Sequence, residues 1–298
     1  MATTKPRTRW IEETFHSDWR VRLKAHRVLH EVKSKHQHLV VFENEEWGTV
    51  LLLDGVFQLT TSDEFHYHEM MAHVPLMALE RPRDILIIGG GDGGILREVL
   101  KHAGVKSATL VDIDREVIDL SLKYFPGVSD GAFDDPRTTV EIADGVAFVA
   151  DARKKYDAII VDSSEPIGPS AVLHSEPFFA DCQRALKDHG ILVAQNGLPF
   201  SSPDHLARTT SYFAGLFKSV TPYLVCQPCY FGGSLAINCG TNGVAPGAID
   251  PTTIARRANR RKIVTQLWTP AVHHAAFALP AYVEKTVSAA TGQHKRTR

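Results

Sequence analysis

A glycine-rich loop that contains an aspartate is the clearest chemical signal in the sequence. Gly89–Gly94 reads Gly-Gly-Gly-Asp-Gly-Gly and directly follows the apolar run Asp84–Ile88. Glycines at 89, 91 and 94 fit the G-x-G-x-x-G pattern of a nucleotide-binding strand–loop–helix unit. Asp112 ends the next predicted strand, about 20 residues further on, where an acid binds ribose hydroxyls in such folds. The sequence therefore predicts a nucleoside site that includes Gly89, Gly91 and Asp112.

Asp92 lies inside this loop, where a dinucleotide would place its pyrophosphate against the helix N-terminus. A carboxylate there repels phosphate by a few kcal/mol when it is poorly solvated, and it attracts a cation instead. Asp92 therefore disfavours a dinucleotide-dependent dehydrogenase and favours a cationic nucleoside. The alternative is that Asp92 only caps the following helix.

Further acids follow the other predicted strands, namely Asp112, Asp144, Asp162 and Glu165. In a parallel sheet with right-handed connections, all of these strand ends meet at the edge that binds ligands. Clustered carboxylates repel each other unless a cation neutralises them, and neither neighbour of Asp162 in the sequence is Lys or Arg. A substrate that carries ammonium or sulfonium groups is the favoured neutraliser, while Mg²⁺ stays open because it takes oxygen ligands.

The elements that must position these residues fall into two predicted domains. Residues 1–61 contain the β-rich runs 28–32, 38–43, 48–53 and 56–60, which predict a small antiparallel β-domain. Residues 62–298 begin with a predicted helix at 64–79, capped by Ser62, and continue with alternating strands and helices. This alternation predicts an α/β fold with a Rossmann-like, doubly wound parallel sheet.

Composition excludes several classes of protein. The 298 residues are 44 % apolar and 22 % charged, which is typical of a folded globular protein, and no apolar run is long enough to span a membrane. A net charge of −1 argues against a nucleic-acid partner, and no secretory signal is visible, so we expect a cytoplasmic enzyme. Four cysteines cannot form a disulfide scaffold, and the C-x-x-C at Cys226 and Cys229 is interpreted as structural, with no metal site.

From about Trp10 to about Val283 the sequence closely resembles the bacterial spermidine synthases, which are polyamine aminopropyltransferases. The resemblance rests above all on Asp63–Met71, which reads Asp-Glu-Phe-His-Tyr-His-Glu-Met-Met, and on the Gly-Gly-Gly-Asp-Gly-Gly loop. It implies a small N-terminal β-domain before a methyltransferase-like catalytic domain, assembled as a homodimer or homotetramer. It also implies aminopropyl transfer from decarboxylated S-adenosylmethionine, a co-substrate, to a diamine without a further cofactor. Putrescine is the expected diamine, and spermidine and methylthioadenosine are the expected products.

The resemblance also implies a role for individual residues. Asp162 would be the base that deprotonates the attacking amine, helped by Tyr67, and Asp92 would bind the ammonium of the aminopropyl arm. Ordinary S-adenosylmethionine carries a carboxylate on that arm, which Asp92 would repel. The other donor-binding residues implied are Gln37, Gln58, His68, Gly89, Gly91, Asp112, Asp144, Gly145, Pro169 and Leu173. The amine-binding residues implied are Tyr67, Asp162, Glu165, Gln195, Tyr230 and Trp19.

The sequence departs from the usual family pattern on the amine side. The common string Asp-x-x-Asp-Pro ends here in Glu165-Pro166, and the longer side chain could shorten the amine pocket. His174 and Gln227 make the same side more polar than usual. Aminopropyl transfer to another amine, such as 1,3-diaminopropane, cadaverine or agmatine, is therefore the first alternative. A diamine N-methyltransferase and a catalytically silent binding protein are the others.

Overall fold

The computed structural model describes residues 9–16, 18–164 and 168–292. The first two strands, β1 (Arg9–His16) and β2 (Trp19–Ala25), form an antiparallel pair. The next four form an antiparallel sheet in chain order, and their buried alternate residues pack with the first pair into one small core. These four strands are β3 (Arg27–Lys33), β4 (His38–Asn44), β5 (Gly48–Leu53) and β6 (Val56–Thr60).

Helices and strands then alternate, as the sequence predicts. The helices are α1 (Glu64–Ala78), α2 (Gly94–Leu100), α3 (Arg115–Tyr124), α4 (Pro126–Ser129), α5 (Gly145–Ala150), α6 (Glu176–Ala185), α7 (Pro203–Leu216), α8 (Pro251–Arg261), α9 (Pro270–Ala275) and α10 (Ala281–Ala290). The strands are β7 (Asp84–Gly89), β8 (Ser107–Asp112), β9 (Thr138–Ile142), β10 (Tyr156–Asp162), β11 (Leu186–Gln195), β12 (Ser219–Val220), β13 (Tyr223–Cys226) and β14 (Ser234–Thr241). Short 3-10 segments lie at Ala132–Asp134, Gly168–His174 and Pro246–Ala248.

The large sheet has a Rossmann-like centre with antiparallel strands at one side. Its parallel strands lie in the order β9-β8-β7-β10-β11, and β14 joins β11 in the antiparallel direction and pairs with β12 and β13. The chain therefore changes direction of winding between β7 and β10, which is the point where ligands bind in such sheets. Asp162 at the end of β10 pairs with Gly89 at the end of β7, so the predicted base and the glycine loop meet there.

The core explains why the central strands are almost purely apolar. Ile85–Ile88 and Ala158–Val161 are buried, because helices cover both faces of the sheet. One face packs mainly against α1 and α2, and the other packs against α6 and α7 through Phe178, Phe179 and Phe213. The rigid sheet thus fixes the positions of the acids at its carboxyl edge.

Two local predictions were wrong. Ser62 does not cap α1: its hydroxyl donates to the carbonyl of Glu46, and Asp63 occupies the cap position. The Asp63 carboxylate accepts from the Thr60 hydroxyl at 2.6 Å and the Cys229 N–H at 2.7 Å, so it joins chain segments instead of capping the helix. The sequence of residues 219–225 predicts a single strand, but the structure has two, β12 and β13, because Pro222 has no N–H to continue the ladder.

Candidate active site

A cleft of about 280 Å³ opens at the switch point of the large sheet. The strand ends of β7, β8 and β10 form its floor, and residues of the N-terminal sheet and the 3-10 segment Gly168–His174 complete its walls. A smaller cavity of about 40 Å³ shares Gln58, Tyr67, Asp162 and Tyr230 with it. The predicted site residues that line the cleft are Gln37, Gln58, Tyr67, His68, Gly89, Gly91, Asp92, Asp112, Asp144, Gly145, Asp162, Leu173 and Tyr230.

Asp162 and Tyr67 form a hydrogen-bonded pair between the two cavities. The Tyr67 hydroxyl, on α1, donates to Asp162 Oδ1 at 2.8 Å. Burial, and then the negative charge of Asp92, raise the pKa of Asp162 to about 7. Burial also raises the pKa of Tyr67 well above its usual value, which keeps its hydroxyl protonated as a donor. The pair can therefore hold or accept a proton near neutral pH.

Asp92 is charged and held from two sides. Its Oδ1 accepts from the Gly94 N–H at 2.6 Å and lies 3.4 Å from Nε2 of His68. Burial works against ionisation of Asp92, but His68 and the Gly94 N–H outweigh it and lower the pKa of the carboxyl. Gly93 occupies the N-cap position of α2, so Asp92 binds the first N–H of the helix without being its cap, and it also presents a carboxylate to the cleft.

Asp112 and Gln37 line the part of the cleft near the end of β8. The two oxygens of Asp112 accept the N–H groups of Gly91 and Asp114, at 3.0 and 2.9 Å. Burial raises the pKa of Asp112 to about 6. The Gln37 amide donates to Asp114 Oδ2 at 3.0 Å, which ties the β3–β4 connection to the end of β8.

The predicted adenine side of the donor site is more exposed to solvent than the surroundings of Asp112. Asp144 is exposed, lines the cleft and caps α5 by accepting the Val146 N–H at 2.8 Å. Gly145 lies against Ile88, so a side chain there would clash. Leu173 lines the cleft from the Gly168–His174 segment. Glu165 and the side chain of Pro169 lie outside the described part of the chain.

On the amine side the structure brings together only some of the predicted residues. Gln195 lines the smaller cavity, but its amide is engaged with backbone at Ser163 and Gly197. The Tyr230 hydroxyl donates to the carbonyl of Gln58 at 2.8 Å. Trp19 lines neither cavity, and its ring lies against Gly232 instead.

Three charged residues near the site escaped the sequence analysis. Glu64 contacts His68, and Arg97 contacts Glu64, both away from the cleft lining. Glu13 is buried in β1, lines the smaller cavity and accepts the Phe57 N–H at 2.9 Å. Glu64 precedes His68 by four residues on one helix, and this spacing predicts a contact between the two side chains. A single acid on a strand, such as Glu13, predicts no such contact.

Most of the charged side chains that line the site are acids. The lining of both cavities, within the described residues, includes several carboxylates and neither Lys nor Arg. Across these residues there is also no group of three His, Cys, Asp or Glu side chains placed to hold a metal ion. The four cysteines are free thiols, with Cys226 exposed and the others buried. No helix in the described ranges is long and apolar enough to cross a membrane.

Comparisons with known proteins cover nearly the whole chain. A family model for the spermine/spermidine synthase domain matches residues 64–244, and one for the spermidine synthase tetramerisation domain matches residues 9–61. The polyamine aminopropyltransferase of Ruegeria sp. (strain TM1040) is 45 % identical over 276 residues, covering 93 % of this chain and 97 % of that protein. That of Pseudomonas syringae pv. tomato is 44 % identical over 280 residues, covering 94 % and 98 %.

Solved structures extend the comparison to the fold. Spermidine synthase from Thermotoga maritima superposes with a TM-score of 0.89 at 34 % identity, covering 97 % of each chain. A spermidine synthase in complex with the transition-state analogue AdoDATO gives a TM-score of 0.90 at 34 % identity, covering 97 % of this chain and 98 % of that one. The chain therefore belongs to the spermine/spermidine synthase family of polyamine aminopropyltransferases.

Proposed function

We propose that this protein transfers the aminopropyl group of decarboxylated S-adenosylmethionine to putrescine, giving spermidine and methylthioadenosine. The observation that carries the proposal is the Tyr67–Asp162 pair at the switch point, next to the charged Asp92, in a cleft lined by carboxylates. The relatives with the same family name support the general reaction. The choice of putrescine and of Asp162 as the base is our own inference.

The larger cleft would hold the donor. Its adenosine would lie along the glycine loop, with the ribose hydroxyls on Asp112 and the adenine between Asp144 and Leu173. The aminopropyl ammonium would bind Asp92, because a partly buried carboxylate attracts a cation more strongly than one in bulk water. The carboxylate of ordinary S-adenosylmethionine would be repelled by the same group, which supports selectivity for the decarboxylated donor.

The reaction needs a neutral amine and a proton acceptor. An alkyl ammonium has a pKa near that of Lys, about 10, so the bound amine must lose a proton before it attacks. Asp162 would take that proton while Tyr67 fixes its orientation. The amine nitrogen then bonds to the carbon next to sulfur, and the C–S electron pair stays on sulfur. The positively charged sulfonium becomes a neutral thioether, methylthioadenosine.

The smaller cavity would hold the rest of the diamine. Glu13 lines it and would place a negative charge near the second ammonium, while its Oε2 also accepts the Phe57 N–H. Since Glu165 replaces the usual aspartate, a shorter diamine such as 1,3-diaminopropane is the second candidate acceptor.

We further propose that the chain assembles as a homo-oligomer, a dimer or a tetramer, through its N-terminal strands. The match of residues 9–61 to a tetramerisation domain supports this. We also propose that the only small molecules needed are the two substrates, with no additional cofactor.

A product assay tests the function. The purified chain would be incubated with decarboxylated S-adenosylmethionine and, separately, with 1,3-diaminopropane, putrescine, cadaverine, agmatine and spermidine, and the products measured by mass. We expect methylthioadenosine and spermidine to form fastest with putrescine. A preference for another amine would replace putrescine as the acceptor, and no methylthioadenosine with any amine would contradict aminopropyl transfer.

A further inference from the structure

His68 lies between two carboxylates and is almost completely buried. Its Nδ1 is 2.5 Å from Glu64 Oε2, its Nε2 is 3.4 Å from Asp92 Oδ1, and 3 % of its side chain is exposed. A neutral imidazole carries one N–H, and a carboxylate can only accept. An imidazole that faces a carboxylate with each ring nitrogen is therefore favoured as the doubly protonated imidazolium. Burial opposes this charge, but the two carboxylates outweigh burial and raise the pKa of His68 to about 10.

Glu64 is fixed in place by Arg97 from α2. Two guanidinium nitrogens of Arg97 donate to the two oxygens of Glu64, at 3.0 and 2.9 Å. Arg97 is itself held by the carbonyl of Val128 at 2.6 Å and by Glu98 at 2.7 Å. The Glu64 carboxylate thus faces His68 from a rigid frame behind the cleft.

Behind the cleft, three basic side chains are paired with three acidic ones. His68, Arg97 and Lys101 face Glu64, Glu98 and Asp92, with ion-pair distances from 2.5 to 3.4 Å. Two further carboxyl groups, Asp162 and Asp112, lie near enough to Asp92 for its charge to raise their pKa values. The remaining titratable neighbours are Tyr67, whose ring lies beside His68, and His73, which contacts Glu98. A cation that binds Asp92 places a second positive charge next to the His68 imidazolium, and a like charge at that distance lowers the pKa of the imidazolium.

We propose that Glu64 is a positioning residue which, held by Arg97, keeps His68 protonated against Asp92 before the donor binds, and that His68 releases its Nε2 proton when the donor's ammonium binds Asp92. This rests on the proposed function, because it assumes that decarboxylated S-adenosylmethionine is the donor. The N–H bond at Nε2 breaks, its proton passes to solvent, and the electron pair stays on Nε2. The other proton stays on Nδ1 of His68 and is donated to Glu64, so Nε2 becomes an acceptor for an N–H of the incoming ammonium.

Calorimetry on the full chain tests the proton release. Decarboxylated S-adenosylmethionine and methylthioadenosine are each titrated at pH 8 in Tris and in HEPES, whose ionisation enthalpies differ. At this pH Asp162, with a pKa of about 7, is already largely ionised and contributes little. We expect release of about one proton with the donor, one Nε2–H per site, and none with methylthioadenosine, which lacks the charged arm.

The outcomes separate this inference from the proposed function. Donor binding with no more proton release than methylthioadenosine overturns the role of His68 and leaves aminopropyl transfer intact. Binding of methylthioadenosine without binding of the donor overturns the proposed function, and this inference with it.

Two variants extend the test. Glu64→Gln should abolish most of the proton release and lower the donor KM several-fold at pH 8, because no proton then has to leave His68 when the donor binds, with kcat and the amine KM within about twofold. Glu141→Gln, on the exposed strand β9, is the matched control and should behave like the original protein. His68→Asn keeps an N–H for Glu64 but cannot titrate, so its donor complex should release no proton. Retained methylthioadenosine binding shows that a variant is folded.

Discussion

At the scale of single residues, the proposed chemistry depends on Asp162, a carboxyl group whose pKa is raised in the folded protein. Burial and Asp92 raise the pKa of Asp162 to about 7, and Asp162 must be deprotonated to act as a base. We therefore expect kcat/KM for putrescine to fall as the pH drops below about 7. Asp162→Asn should bind methylthioadenosine normally and lose about 10²- to 10⁴-fold in rate. Near-normal turnover of this variant would remove Asp162 from the mechanism.

The position of the Asp112 carboxylate depends on Gly91 having no side chain. A Cβ atom at Gly91 would lie 2.7 Å from Asp112 Oδ2 and 3.0 Å from a methyl group of Val117, so Asp112 would have to shift. Gly91→Ala should therefore weaken methylthioadenosine binding about tenfold or more, measured as Kd, because the Gly91–Asp112 hydrogen bond is disturbed. Gly127→Ala, where a Cβ meets no atom within 4 Å, is the matched control. Equal affinities of the two variants would contradict this use of Asp112.

At the scale of elements, His174 ties the Gly168–His174 segment to the end of β10. Its Nε2 lies 3.0 Å from Ser163 Oγ and 3.2 Å from the carbonyl of Ser164, directly after the proposed base. His174→Phe would keep an aromatic ring but leave these buried polar atoms without their partner. We expect the donor KM to rise about three- to tenfold, and His174→Gln, which retains a donor, to restore most of it. An unchanged donor KM in His174→Phe would show that the segment is held by other contacts.

The elements also show what sequence alone can and cannot predict. Strands β7, β8 and β10 and the acids after them were predictable, because short apolar runs that end in Gly or Asp and alternate with helices are typical of buried parallel strands. Glu13 was not predictable, since β1 mixes charged and apolar residues and only pairing with β2 reveals which ones are buried. Arg97 lies 33 positions from Glu64, so only tertiary packing joins them.

At the scale of the whole molecule, the site is completed across both sheets. Gln37 and Gln58 reach the cleft from the N-terminal sheet, whereas Tyr67 and Asp162 come from α1 and the large sheet. The predicted boundary after residue 61 stays a prediction. The cleft between these sheets brings several carboxylates close together. Ionisation of these carboxylates therefore affects the free energy of unfolding of the whole chain.

Asp162 should lower the free energy of unfolding at alkaline pH. Its folded-state pKa of about 7 exceeds the usual 3.8, so the folded state binds more protons than the unfolded state between these values. Its contribution to stability is therefore complete below about pH 4 and is lost as the pH rises through about 7, at about 1.4 kcal/mol per pH unit. His205 and His273, whose pKa values burial lowers to about 4, act in the opposite sense, but they are present in both proteins and cancel in a comparison.

Asp162→Asn should therefore raise the Tm by several degrees at pH 8.5 and hardly change it at pH 4.5, as measured by thermal unfolding. Asparagine stays neutral at both values, whereas the original carboxyl is neutral in the folded state only at the lower pH. Asp151→Asn, at an exposed position, should leave the Tm unchanged at both. A Tm that rises equally at both pH values would attribute the gain to packing, and an unchanged Tm would show that ionised Asp162 carries no cost. The expected pattern would mean that the fold gives up stability to keep a base that works near neutral pH.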